Sequence, residues 1–134
     1  MPAHLFFDVV TPGMVILYLG LGLIALILLT FLVALVEGVV LTLFKWNNFR
    51  RSLLAALIAN VVSSMAGGVL LIFLQEFPFP WIIVALLLSI AIEGAILIKI
   101  QPGSSRRTWP VCLVANLASY LLLILPAYLF SLFD

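Results

Sequence analysis

Two glutamates inside long apolar runs, Glu37 and Glu93, and two asparagines, Asn60 and Asn116, are the residues of this chain best able to do chemistry. Carboxylates, amides and hydroxyls supply hard oxygen ligands, so with Ser63, Ser64 and Ser119 they form a candidate site for a cation or a proton. The blander reading is structural. Asn60 then hydrogen-bonds Glu37 and Asn116 hydrogen-bonds Glu93, each pair fastening its own helical hairpin, and the residue types alone do not fix whether a metal binds.

The counting that motivates these pairs is simple. Glu37 lies eight residues before Lys45, and Asn60 lies nine after Arg51. At about 1.5 Å per residue, both stand about 12 to 14 Å from the same basic loop. Glu93 and Asn116 repeat the arrangement, with Lys99 and Arg107 as the markers. An ionised carboxylate facing lipid costs about 2.5 kcal/mol or more, so both glutamates must face protein or water, or carry a proton.

Lipid is the implied solvent because 66% of the 134 residues are hydrophobic and only 8% are charged. Such a balance excludes a soluble domain. A membrane-crossing helix needs about 20 apolar residues, and four such runs are present at 14–44, 53–74, 81–98 and 109–130. The expected fold is an all-α integral membrane domain of four transmembrane helices spanning 1–134. The first run exceeds the need, so its helix must tilt or project.

The six basic residues fall in two places: Lys45, Arg50 and Arg51 between the first two runs, and Lys99, Arg106 and Arg107 between the last two. By the positive-inside rule both loops are cytoplasmic, which puts both termini and the 75–80 loop on the outer side. The same six side chains are candidate contacts for lipid phosphates or a partner. Trp46 and Trp109 beside the basic loops, and Phe77, Phe79 and Trp81 beside the outer one, suit interfacial belts. Ser52 and Thr108 follow Arg pairs and resemble helix N-caps, while Pro110 suits a first turn. Pro126 should free the carbonyl of Leu122 and bend the last helix.

Shifting the sequence by 56 residues superposes Glu37-Gly38 on Glu93-Gly94, Arg50-Arg51 on Arg106-Arg107, Asn60 on Asn116 and Ser63 on Ser119. Apolar composition does not generate that register by chance. The pattern reads as two tandem hairpin repeats, approximately 14–76 and 81–134. Because each holds two spans, the copies are parallel and related by a pseudo-twofold axis along the membrane normal. The set Asn60, Ser64 and Gly68, with Gly67 alongside, offers a small-residue face for helix contact within the chain or between subunits.

No HExxH, GxSxG, Cys/His pair or phosphate loop is present, so no enzyme is expected. No cofactor signature is present either. A lone Cys112 reads as a packing residue and a lone His4 in the outer tail as unremarkable. Net charge near +1 argues against nucleic acid. The N-terminus lacks a basic signal-peptide region, so the first span is expected to be retained. The function expected is a non-catalytic small membrane subunit or scaffold, packed in a larger membrane complex or homo-oligomer. The alternative is a small oligomeric cation or proton channel or transporter using Glu37 and Glu93 with Asn60 and Asn116. With no sorting signal, a prokaryotic plasma membrane is the default location.

Overall fold

Backbone N–H and C=O groups find no water in a hydrocarbon solvent, so apolar segments of this length satisfy them internally as helices. The computed structural model, which describes residues 12–74 and 81–131, is all-helical over that range. Helix α1 runs Pro12–Leu43, α2 Phe49–Leu74, α3 Trp81–Ile100 and α4 Ser105–Ser119. A π-helical turn, Tyr120–Ile124, then leads into α5, Leu125–Ser131. Four segments, Leu19–Leu43, Phe49–Leu70, Ile83–Ile100 and Ser105–Ile124, are long and apolar enough to cross a membrane. The 75–80 loop, with Glu76, Phe77 and Phe79, and His4, Asp8 and Asp134 lie outside the described residues.

The helices pack as a square: α1 against α2 and α4, and α3 against the same two. The buried positions fall between Val33 and Ser63 and between Glu93 and Ser119, in the halves of the helices that adjoin the two basic loops. In the opposite half, α1 from Ile16 to Leu28 exposes its large apolar side chains.

Two local features differ from the sequence reading. Neither Ser52 nor Thr108 caps a helix; both helices begin a turn earlier, and both hydroxyl residues are buried. The cap of α2 is Asn48, whose Oδ1 accepts from Arg51 N–H at 3.0 Å. The arginines can ride in the first turn because that turn projects beyond the apolar run. Trp46, read as a belt residue, is also buried. Lys45 adopts a left-handed φ of 55°. This closes α1 with paired bonds from Lys45 N–H to Thr42 O and from Trp46 N–H to Leu41 O, each 2.9 Å. The reversal folds Trp46 back onto the core beside Leu41 and Leu97. Its indole N–H then donates to Thr108 Oγ1 at 3.0 Å, joining the first loop to α4.

Glycines decide how closely two pairs of segments approach. A Cβ on Gly38 would lie 2.9 Å from Leu53 Cα, so α1 and α2 meet backbone to backbone there. A Cβ on Gly94 would overlap the ring of Trp109, which lies across α3 at that point. Gly67 and Gly68 have open space instead, so this pair tightens no helix contact among the described residues.

Pro126 acts through a change of helix type. It has no N–H to offer the preceding turn, and the chain widens into the π turn just before it, with Leu125 N–H bonding Tyr120 O.

Candidate functional site

The close approach at Gly38 places Glu37 against α2. Glu37 Oε2 accepts from Asn60 Nδ2 at 2.5 Å, and Asn60 Nδ2 also donates to Ala56 O at 2.9 Å, one turn back on its own helix. In the other helix pair, Glu93 Oε2 accepts from Asn116 Nδ2 at 2.8 Å, and that amide donates to Cys112 O at 3.2 Å. Each glutamate thus takes its asparagine from the adjoining helix in sequence.

The serines cross over. Ser119 Oγ on α4 donates to Glu37 Oε1 on α1 at 2.7 Å, and Ser63 Oγ on α2 donates to Glu93 Oε1 on α3 at 2.7 Å. The partners are 82 and 30 residues apart, so neither glutamate completes its hydrogen bonds within its own pair of helices. One turn of α2, Asn60 to Ser63, and one turn of α4, Asn116 to Ser119, each bridge the two carboxyl groups.

All six side chains are buried; Glu37 is 3% exposed and Glu93 is 2% exposed. Every Lys and Arg is exposed. The carboxylates are therefore held by amides and hydroxyls, with no cationic side chain beside them among the described residues. Among the described residues, no group of three or more His, Cys, Asp and Glu converges as a metal-binding set.

The remaining candidates are placed elsewhere. Ser64 faces outward and does not join the cluster. Arg107 donates to Phe44 O at 2.5 Å, binding the second basic loop to the end of α1. Lys45, Arg50, Arg51, Lys99 and Arg106 line the same end of the bundle. Arg51 and Trp46 border a recess of about 540 Å³, and Arg106 and Arg107 one of about 380 Å³.

No known protein family, characterised protein or solved structure matches the chain. Its residues alone carry the functional reading. Two participants escaped the sequence reading. Cys112 Sγ lies 3.6 Å from Asn116 Nδ2, so the buried thiol lines the cluster. Tyr120, the first residue of the π turn, brings its hydroxyl within 3.5 Å of Ser89 Oγ on α3. Their signal in the sequence was position: both lie within four residues of Asn116 on the same helical segment.

The arrangement holds helices together through polar groups in a medium where an unpaired polar group is costly. Bonds of this kind between membrane helices average about 0.6 kcal/mol and reach about 1.7 kcal/mol. Within the cluster each carboxylate takes one amide N–H and one serine hydroxyl.

Proposed function

We propose that this chain is a non-catalytic four-span membrane subunit or scaffold, whose fixed half is clasped by the Glu/Asn/Ser cluster and whose other half is completed by a partner. The partner is a larger membrane assembly or a second copy of the chain. The observation that carries this reading is the open space at Gly20, Gly22, Gly67 and Gly68, where an added Cβ would meet nothing within 4 Å. Small residues on a membrane helix stabilise it when another backbone approaches closely, and these four have no such neighbour among the described residues. Ser64 and Gly68, one turn apart and both exposed, continue that face.

The duplicated hairpin and its pseudo-twofold axis along the membrane normal belong to the same proposal. They are supported by the cluster's bonding pattern: adding 56 to Glu37, Asn60 and Ser63 gives Glu93, Asn116 and Ser119. The bond from Asn60 to Glu37 becomes that from Asn116 to Glu93 under the same shift, and exchanging the two repeats turns Ser63–Glu93 into Ser119–Glu37. The basic loops face the cytoplasm and the termini face outward, in a prokaryotic plasma membrane, on the strength of the Lys/Arg distribution.

The test is extraction in a mild detergent, followed by mass determination of the protein–detergent complex and cross-linking through a cysteine placed at Gly68. A stable assembly cross-linked at position 68 is expected. A pure monomer with no co-purifying protein and no cross-link would refute the proposal.

A further inference from the structure

Hydrogen-bond bookkeeping leaves the clasp short of donors. Asn60 commits both amide hydrogens, to Glu37 and Ala56 O, and Asn116 commits both, to Glu93 and Cys112 O. The hydroxyl hydrogens of Ser63 and Ser119 go to the carboxylates, with the carbonyls of Asn60 and Asn116 as secondary acceptors. One buried acceptor then remains without a partner, the side-chain oxygen of Asn116. That residue is 1% exposed, and the orphan oxygen belongs to the same planar amide whose nitrogen bonds Glu93. A buried acceptor left unpaired costs about 1 to 3 kcal/mol.

Charge bookkeeping gives the same shortage. In their ionised form the two buried carboxyl groups carry two formal negative charges, while all six Lys and Arg side chains are exposed toward the loop end. Both deficits are met by one positively charged species that accepts oxygen lone pairs.

We propose that the Glu37–Glu93 junction is a binding site for one hard cation, coordinated by oxygens of both carboxylates and by Asn116 Oδ1. The donor set is all oxygen, which selects alkali and alkaline-earth ions over transition metals. A divalent ion such as Ca²⁺ balances both charges and suits a high oxygen count, whereas Na⁺ balances one. The proposal rests on the clasp reading, because the ion sits where the two hairpins cross. It turns that junction from a set of hydrogen bonds into an ion-dependent lock.

The experiment uses the full chain in detergent, stripped with a chelator. Thermal unfolding is followed by tryptophan fluorescence in choline chloride, NaCl and CaCl₂ at equal ionic strength. Calorimetric titration of Na⁺ and Ca²⁺ into the wild-type protein provides a readout that needs no variant. A saturable rise in midpoint with Na⁺ or Ca²⁺, matched by calorimetric binding, is expected. Glu37→Gln and Glu93→Gln should each abolish it, and Asn116→Leu should weaken binding about tenfold or more. Identical midpoints in all three salts, with no heat of binding, would overturn the proposal and mean that hydrogen ions alone serve the pair. Binding that persists in the double Gln variant would overturn it too, by placing the ion elsewhere. The clasp itself is tested separately by serine substitutions, so a failed ion test leaves that reading standing.

Discussion

Replacing Gly38 by alanine puts a methyl group where α1 and α2 touch. The new Cβ would stand 2.9 Å from Leu53 Cα, 3.3 Å from its nitrogen and 3.4 Å from its Cβ. Two of those three atoms are backbone, so no rotamer change relieves the contact and the helices must separate by a few tenths of an ångström. Overpacking of this kind costs about 1 to 3 kcal/mol. Alanine also gains about 1 kcal/mol over glycine in helix propensity, which would blur the result if Gly38→Ala were compared with wild type alone. In the protein dispersed to monomers, Gly68→Ala supplies the reference, because its Cβ meets nothing within 4 Å in the chain. The propensity gain is common to both, so their difference isolates the clash at about 1 to 3 kcal/mol, or about fivefold to more than a hundredfold in the unfolding equilibrium. The assay is reversible unfolding in mixed micelles at increasing denaturing-detergent fraction, followed by the emission of buried Trp46. Gly94→Ala should fall between the two, since it presses on a Trp109 ring that is 42% exposed and can swing aside. A Gly38→Ala protein as stable as Gly68→Ala would refute the claim that backbone proximity sets the depth and aim of Glu37.

Two further outcomes follow from the clasp and the loops. In double-mutant cycles, Ser119→Ala should couple to Glu37→Gln and Ser63→Ala to Glu93→Gln, by about 0.6 to 1.7 kcal/mol each, with little coupling for the exchanged pairings; equal coupling in both pairings would contradict the crossover. In a Cys112→Ser background, a cysteine at Ser105 should be labelled from the cytoplasmic side of oriented vesicles by an impermeant thiol reagent. Changing Lys99, Arg106 and Arg107 together to Gln should mix the orientation of the second hairpin; labelling only from the outer side in the unmodified background would invert the proposed topology.

Much of this architecture is legible along the chain. Four apolar runs specify four helices because lipid permits little else, and counting inward from the basic loops brings each glutamate level with an asparagine. Selection of Ser63 over Ser64 was not legible: neighbours on a helix differ by about 100° in direction, and only packed partners decide which one points inward. Nor could the sequence tell which carboxylate each serine reaches, since that depends on how the helix pairs lie side by side. Trp46 looked interfacial because it adjoins a lysine. Its burial comes from the left-handed turn at Lys45, a backbone choice that a non-glycine residue does not advertise. The helix starts were misplaced for a related reason: Ser52 and Thr108 open the apolar runs, but helical hydrogen bonding continues past the point where hydrophobicity stops.

The crossover also sets a timetable for synthesis. Glu37 and Asn60 leave the ribosome only 23 residues apart, but the serine that completes the bonds of Glu37 follows 82 residues behind it. At a synthesis rate of about 5 to 20 residues per second, that carboxylate waits about 4 to 16 s for its second partner. Glu93 meets the opposite situation, because Ser63 has already been made when it emerges. The first half of the chain is thus born incomplete and the second is born to finish it, so the insertion machinery must keep the early hairpin within reach until the late one arrives.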